Sequence, residues 1–301
     1  MQGSGERGKI CLLLVHGFTG NPGDCRRLGA YMHERGFSVC AIRLPGHGTT
    51  PEDLNDTRFE DWWNHTLACY DLLAGDGFHE ESIVPVGFSL GGLLALKLSL
   101  ARPVGGLVTL AAPIFLQDRR IRYAGIVKYF KKYIHKQPAM SEYLVMERGA
   151  YSKTSIACVE SLYKHMKQLK SMLPLVNAPI YIAHGMHDRT VRPESADYIY
   201  QKVSSRIKKI KLYPETSHAM MADVRKDEVF RDMLAFMEDL ELTSMFKLPE
   251  GEHQGQTERQ GQTEDRTKLE RQGQTTDQTR KSGSQQESDA YSSQSVKPTL
   301  I

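Results

Sequence analysis

The sequence is poor in cysteine, with five in 301 residues, and it has no C-x-x-C pair. An odd number of scattered cysteines argues against a disulfide framework, and the missing pairs argue against a zinc site. The chain also lacks any run of about 18 apolar residues, so neither a membrane-spanning helix nor stable membrane insertion is expected. The apolar run behind the polar amino terminus is too short for a signal peptide. We therefore expect a soluble cytoplasmic protein, and no metal or other cofactor is predicted.

A large excess of charge of one sign is missing as well. The formal net charge is +3 at pH 7, and charged residues make up 25% of the chain. Proteins whose main partner is nucleic acid carry a dense basic surface, so nucleic acid is not expected as a partner. Hydrophobic residues at 40% are typical of soluble globular domains. The composition specifies no oligomeric state, and the function has to be sought in the motifs.

Apolar residues become rare near residue 249. From residue 251 to residue 301 the chain is mainly Gln, Thr, Ser, Glu, Arg and Lys, and the tetrapeptide QGQT recurs at 254, 260 and 272. Such a stretch cannot bury enough surface to offset the entropy lost on ordering. We predict a folded domain over residues 1–248 and a disordered low-complexity tail over residues 249–301.

Short apolar runs alternate with helix-forming segments in residues 1–248. The first five runs are nearly continuous apolar or β-branched, which is typical of strands covered on both faces. The predicted strands cover residues 10–15, 37–42, 82–87, 105–112, 179–184 and 207–213. The predicted helices cover residues 22–35, 58–74, 90–101, 193–203 and 223–242. This alternation predicts an α/β fold with a doubly wound, mostly parallel sheet.

Residues 114–177 interrupt the alternation, because they contain helix formers but no convincing strand. We predict a helical cap that covers one end of the sheet. Its aromatic and methionine side chains suit an adaptable pocket for acyl chains, although some must form the core of the cap itself. These residues are Tyr123, Tyr129, Phe130, Tyr133, Met140, Tyr143, Met146, Met166 and Met172. The locally basic stretch from Arg119 to Lys136 is interpreted as a solvated face, with attraction to an anionic lipid surface as the alternative.

One polar side chain, Ser89, interrupts the apolar stretch VPVGFSLGGLLAL at residues 84–96. Gly87 and Gly91 flank it in the pattern G-x-S-x-G. A sharp turn from a strand into a helix leaves no room for β-carbons at the two glycines, and it exposes the serine hydroxyl. The free N–H groups of the following helix point to where negative charge would develop. Ser89 is therefore the candidate nucleophile.

Two further candidates, Asp188 and His218, follow the fifth and sixth predicted strands. The order Ser, Asp, His along the chain is the order that this sheet architecture uses for acyl transfer. A neutral imidazole can take the proton of a serine hydroxyl, and a carboxylate can hold the imidazole tautomer. Asp197 and Asp223 are the alternative carboxylates, but both lie within predicted helices. No other histidine follows Asp188 within residues 1–248.

A tetrahedral intermediate needs two hydrogen-bond donors for its oxyanion. The backbone N–H of Leu90 is one candidate. The loop VHGFTG at residues 15–20 follows the first predicted strand, and the N–H of Phe18 is the best second donor there.

Several other conspicuous side chains are given structural roles. His184 and His187 lack a distant third ligand, so no metal site is predicted around them. We expect His16 and His47 to stabilise loops through hydrogen bonds. The pair Trp62-Trp63 lies in an amphipathic helix and is expected to pack.

Together these motifs resemble the α/β-hydrolase superfamily, and more narrowly the small bacterial carboxylesterases and monoacylglycerol lipases. The resemblance covers about residues 10–242. The motifs that carry it are HGFTG at 16–20, GFSLGG at 87–92, HGMHD at 184–188 and SH at 217–218.

The resemblance implies that Ser89, Asp188 and His218 form a catalytic triad, with Phe18 and Leu90 as the oxyanion donors and a cap over an acyl pocket. Monoacylglycerol lipases of this kind tend to carry a glutamate in a Y-E-K-T-like stretch of the cap, where it holds glycerol. The matching stretch here is YSKT at residues 151–154, with Ser152 in place of the glutamate. This difference favours a general carboxylesterase.

The first hypothesis is therefore a serine hydrolase that cleaves small-molecule carboxylic esters of short to medium acyl chains through an acyl-enzyme. The alternatives on the same sheet are a monoacylglycerol lipase, an acyl thioesterase, C–C bond cleavage and acyl transfer. Haloalkane dehalogenases and epoxide hydrolases are disfavoured because they use an aspartate where Ser89 stands. A non-catalytic binding module is the third class, and the intact set of three residues argues against it.

Overall fold

The computed structural model describes residues 1–135, 151 and 153–240, and all of them belong to one compact unit. The strands are β1 Cys11–Val15, β2 Ser38–Ile42, β3 Ile83–Phe88, β4 Leu107–Leu110, β5 Tyr133–His135, β6 Lys153–Ser155, β7 Ile180–Gly185 and β8 Lys208–Tyr213. The helices are α1 Arg26–His33, α2 Pro51–Asn55, α3 Phe59–Gly75, α4 Leu90–Ala101, α5 Ala124–Val127, α6 Ile156–Met172, α7 Glu194–Lys202 and α8 Lys226–Asp239. Short 3₁₀ turns precede or follow several of them.

The main sheet has the strand order β2-β1-β3-β4-β7-β8, and every neighbouring pair is parallel. All six strands predicted from the apolar runs are present, and the predicted doubly wound parallel sheet is confirmed. β1, β4 and β7 are buried along their whole length, whereas β8 at the edge is only half-buried. This difference explains why the sixth run alternates with lysines while the inner runs do not.

Side chains alternate between the two faces of the sheet, and each face has its own core. In β1, Cys11, Leu13 and Val15 pack on one face, whereas Leu12 and Leu14 pack on the other. The first face is covered by α3, α4, α6 and α7. The second face is covered by α1 and α8. The helices therefore sandwich the sheet, and the carboxyl ends of its parallel strands lie along one edge.

The expectation of no strand in residues 114–177 is wrong. β5 and β6 form a short antiparallel pair in which Tyr133 lies opposite Ser155. Three-residue strands are too short to show the alternation by which a strand is recognised in a sequence. Ser152, the predicted tail at residues 249–301, and Met140, Tyr143 and Met146 of the predicted acyl pocket lie outside the described residues.

Two helix predictions also need correction at their ends. The predicted helix at residues 22–35 begins as a 3₁₀ turn, Pro22–Cys25, before α1 starts. Asn21 caps this turn by accepting a hydrogen bond from the Gly23 N–H. The last helix starts at Lys226 rather than at residue 223, because the Asp223 carboxylate accepts hydrogen bonds from nearby backbone N–H groups. None of the described helices is long and apolar enough to cross a membrane.

Candidate active site

Ser89 lies at a sharp elbow between β3 and α4, with φ 51° and ψ −114°. A non-glycine residue in such a conformation costs about 1–3 kcal/mol and persists only where its surroundings hold it. The Ser89 N–H donates to the carbonyl of Leu110 on the neighbouring strand at 2.8 Å. A β-carbon on Gly87 would lie 2.0 Å from the Gly91 carbonyl oxygen, and one on Gly91 would lie 2.0 Å from that of Val15. The elbow therefore requires both glycines of the G-x-S-x-G pattern.

The structure brings the side chains of Ser89, Asp188 and His218 together at the carboxyl edge of the sheet. His218 Nδ1 donates to Asp188 Oδ2 at 2.6 Å, and His218 Nε2 lies 3.2 Å from Ser89 Oγ. Because Nδ1 carries the proton, Nε2 is free to accept the serine proton. The Phe88 ring packs beside the imidazole, with ring centroids 5.1 Å apart.

The two alternative carboxylates stand elsewhere. Asp197 lies on α7. Asp223 accepts from the backbone N–H and the hydroxyl of Ser217, both at 3.0 Å. It therefore braces the residue before His218 instead of binding the imidazole.

Asp188 is buried, and four hydrogen bonds occupy its two carboxylate oxygens. Oδ1 accepts from the N–H groups of Thr190 and Val191 at 2.8 Å each. Oδ2 is shared between His218 and His184, whose Nε2 lies 3.1 Å away. Burial alone would raise the pKa of Asp188. The hydrogen bonds from the two histidines, the charge of His218 and the N–H of Val191 outweigh burial, so the pKa is lowered and the carboxylate stays ionised.

The contact between His184 and Asp188 was not predicted from the sequence, which gave His184 only a structural role at a strand end. The only available signal was the short spacing of the two residues in HGMHD. A second missed contact comes from Gln117, whose side-chain amide donates to the Asp188 carbonyl at 3.1 Å. One residue earlier, Leu116 bridges to Val191. The segment after β4 thus holds the loop that carries Asp188.

The loop with Phe18 lies directly against the elbow. A β-carbon on Gly17 would come within 3.0 Å of the Phe88 ring and 3.4 Å of Ser89 Cβ. Leu90 is the first residue of α4, where helix N–H groups have no partner within the helix. The structure thus places Leu90, and Gly17 next to Phe18, beside the serine.

His16 and His47 fix the loops behind this site, as predicted. His16 Nδ1 donates to the Gly17 carbonyl at 2.9 Å, and its Nε2 accepts from the Leu44 N–H at 3.2 Å. His47 Nδ1 donates to the Pro45 carbonyl at 2.9 Å. Burial, followed by the charge of His47, lowers the pKa of His16 to about 3, and burial lowers the pKa of His47 to about 4. Both rings are therefore neutral at pH 7.

An aromatic cluster supports the same loops. Trp62 is fully buried, with its ring 5.6 Å from that of Phe18 and 5.3 Å from that of His47. Its indole N–H donates to Thr57 Oγ1 at 3.0 Å. The expected packing role of this tryptophan is confirmed.

The chain that returns from the predicted cap is tied to these loops. The Tyr151 hydroxyl donates to the Gly46 carbonyl at 2.8 Å and accepts from the Thr49 N–H at 2.9 Å. Further along, Cys158 Sγ lies 3.0 Å from the Leu54 carbonyl. Within the described part of the chain, no group of three or more His, Cys, Asp or Glu residues could hold a metal ion.

A family model described as serine aminopeptidase, S33 matches residues 6–225, which include all of the side chains above. The chain belongs to this hydrolase family. The match runs from before β1 to after β8, so it covers all six parallel strands.

Relatives of this S33-family hydrolase are similar over most of their length. A carboxylesterase of Bacillus subtilis is 33% identical over 234 residues, which cover 78% of this chain and 94% of the relative. A thermostable monoacylglycerol lipase of a Bacillus species is 31% identical over 232 residues, covering 77% and 91%. The solved monoacylglycerol lipase of Paleococcus ferrophilus has a TM-score of 0.65 at 18% identity, over 80% of this chain and 96% of that one. The resemblance to α/β-hydrolases of the carboxylesterase and monoacylglycerol lipase type is confirmed.

Proposed function

We propose that this carboxylic ester hydrolase works through a covalent acyl-enzyme formed on Ser89. The observation that carries the proposal is the position of His218, which lies within hydrogen-bond reach of Ser89 Oγ on one side and of Asp188 Oδ2 on the other. Such a chain of contacts activates a serine hydroxyl, since the base is oriented by the carboxylate and adjacent to the hydroxyl. Phe18 and Leu90 complete the proposed site as oxyanion donors.

In the first half-reaction, Ser89 Oγ attacks the ester carbonyl carbon while His218 Nε2 takes the hydroxyl proton. The carbonyl oxygen becomes an oxyanion, which the N–H groups of Phe18 and Leu90 stabilise. His218 then returns its proton to the leaving alcohol, and the C–O bond of the ester breaks. Asp188 stays ionised and stabilises the imidazolium that forms in between.

In the second half-reaction, water replaces the alcohol. His218 takes one proton from the water, whose oxygen attacks the acyl carbon. The second tetrahedral intermediate collapses when His218 protonates Ser89 Oγ. The products are a carboxylic acid and the regenerated serine, so atoms and charge balance without a cofactor.

Esters with short to medium acyl chains are the proposed substrates. Similarity to the Bacillus subtilis carboxylesterase supports carboxylic esters as the substrate class. Ser152, in the sequence position of the glycerol-binding glutamate, favours a general carboxylesterase over a glycerol-specific lipase. The 31% identity to a Bacillus monoacylglycerol lipase keeps monoacylglycerol hydrolysis as the second candidate. A panel of aryl esters, monoacylglycerols and acyl thioesters separates these possibilities. Turnover of thioesters alone would contradict the first choice.

The decisive experiment replaces the nucleophile. We expect S89A to lose about 10⁴- to 10⁶-fold in kcat and to lose labelling by a fluorophosphonate probe. The matched control is S99A, because Ser99 lies on the same helix and, among the residues that the structure describes, its hydroxyl donates to the Leu96 carbonyl of its own helix alone. Peptide mapping of the labelled wild type is expected to find the probe on Ser89. Normal turnover by folded S89A would refute the proposal, and labelling with no turnover of any panel substrate would refute the assigned substrate class.

A further inference from the structure

Residues 119–134, which we call the basic–aromatic segment, expose an unusual amount of apolar surface. Six of the twelve exposed large hydrophobic side chains in the described residues lie in this stretch of sixteen. Phe130 is 86% exposed and Tyr129 is 79% exposed. The others are Tyr123, Ile126, Val127 and Ile134. Clustered exposure of this kind marks an interaction surface, whereas single exposed hydrophobic residues are ordinary.

The same segment is strongly basic. It contains six Lys and Arg residues and no Asp or Glu. Lys128 pairs with Glu160, and Arg120 pairs with Asp118 just outside the segment. The remaining four are exposed and form no ion pair with any residue that the structure describes: Arg119, Arg122, Lys131 and Lys132. A positive field therefore surrounds the exposed rings.

The backbone of the segment is held in place although its side chains are exposed. Ala124 is buried where α5 packs against α6. The carbonyl of Lys132 accepts from the Ile156 N–H at 3.0 Å, and β5 pairs with β6. The exposed rings are thus presented by an ordered backbone, so binding does not have to pay for its ordering.

We infer that the basic–aromatic segment binds the surface of anionic lipid bilayers. Aromatic rings prefer the boundary between lipid headgroups and acyl chains, because their apolar body is buried there while polar edges stay wet. Exposed Lys and Arg side chains are attracted to anionic headgroups within a Debye length. The segment combines both features, and it begins two residues after Gln117, which contacts the Asp188 loop. The partner is a lipid surface that the protein lies on, and the inference does not rest on the proposed catalytic mechanism.

The inference is tested by co-sedimentation of the full chain with vesicles. The vesicles contain either phosphatidylcholine alone or equal parts of phosphatidylcholine and phosphatidylglycerol, all with ether-linked chains so that no ester can be cleaved. We expect binding to the anionic vesicles, weaker binding as salt is added, and little binding to the neutral ones. The variant K131Q/K132Q should lower the partition coefficient by about 5-fold for each lysine. Y129S/F130S should lower it by at least about 10-fold.

Matched controls separate the segment from general surface properties. R26Q/R27Q removes two exposed charges on α1, which covers the opposite face of the sheet. V224S removes a 93% exposed apolar side chain elsewhere. Both controls should bind like the wild type, and thermal unfolding should show that all variants are folded. Absence of vesicle binding by the wild type, or equal losses in the segment variants and the controls, would overturn the inference. So would a segment variant that alters self-association in sedimentation velocity while vesicle binding is unchanged.

Discussion

Gly185, at the end of β7, controls the distance between the strand that leads to Asp188 and the loop that carries His218. A β-carbon at this position would lie 2.2 Å from the Thr216 carbonyl oxygen and 2.6 Å from that of Ser217. Ordinary van der Waals contact begins near 3.4 Å, so in G185A the Thr216 carbonyl oxygen must move away from the new methyl group by about 1.2 Å. Because β7 is hydrogen-bonded on both sides, by β4 and β8, we expect the loop that carries His218 to move and the strand to stay in place.

The movement of the Thr216 carbonyl also displaces His218, because His218 follows Thr216 by only two residues. Its 2.6 Å bond to Asp188 and its 3.2 Å contact with Ser89 cannot both survive a shift of this size. A misplacement of about 1 Å in a catalytic group costs about 100-fold in rate. We therefore expect G185A to lose about 100-fold in kcat for an aryl ester, with a smaller change in KM.

Steady-state kinetics on a soluble aryl ester measure this effect, and thermal unfolding shows whether the variant is folded. The matched control is G75A, because a β-carbon at the end of α3 meets nothing within 4 Å. G75A should retain wild-type kinetics. A folded G185A enzyme with wild-type kcat would show either that the loop accommodates the methyl group without moving the imidazole, or that His218 is not the base.

Three further predictions concern stability and the extent of the active unit. Folding lowers the pKa of His16 to about 3 and that of His47 to about 4, from the ordinary value of 6.5. Between pH 6.5 and these lower values, the unfolded chain therefore binds protons at both histidines that the folded chain does not. Stability should be complete above pH 6.5 and should fall by about 1.4 kcal/mol per pH unit and per histidine below it. H47N should therefore lose less stability than the wild type between pH 7 and pH 5 in urea titrations, and equal losses would contradict the assignment. Y151F should lower the free energy of unfolding by about 2 kcal/mol, because the Gly46 carbonyl and the Thr49 N–H lose their hydrogen bonds to the Tyr151 hydroxyl. The control Y129F, at an exposed tyrosine, should change the free energy of unfolding by less than about 0.5 kcal/mol. An equal effect of the two substitutions would show that the hydrogen bonds of the Tyr151 hydroxyl do not stabilise the fold. Deletion of residues 251–301 should leave kcat/KM for an aryl ester unchanged, because every contact described around the site lies before residue 241, and a loss of activity would assign the tail a role in catalysis.

Local patterns in the sequence predicted most of the fold. Five of the six strands of the sheet are nearly continuous apolar runs, and their burial on both faces is the reason that they are recognisable. The edge strand β8 is only half-buried, and its run alternates with lysines. The elbow at Ser89 was predictable because backbone atoms exclude a β-carbon at both glycines. Asp188 and His218 were predictable as neighbours of Ser89, since parallel strands bring their carboxyl ends to one edge. Their catalytic roles are proposed, and the kinetics of S89A test them.

Contacts between segments that are distant along the chain were not predictable. Tyr151 binds a loop about a hundred positions earlier, and no local pattern records that pairing. The second histidine on Asp188 was missed because a strand-end histidine can equally bind backbone. β5 and β6 stabilise each other and nothing in the main sheet, so their sequences carry no signal of burial.

Two parts of the molecule can therefore be changed independently. The site depends on buried contacts that hold Ser89, Asp188 and His218 in one geometry, and most of these contacts involve backbone atoms that no surface substitution removes. The basic–aromatic segment depends on exposed side chains whose backbone is held by α6. Substituting the exposed rings should change where the enzyme resides without altering its turnover of a soluble ester. Substituting Ser89 should abolish turnover while vesicle binding persists. If either substitution impaired both ester turnover and vesicle binding, the buried site and the exposed docking surface would be coupled and could not be changed independently.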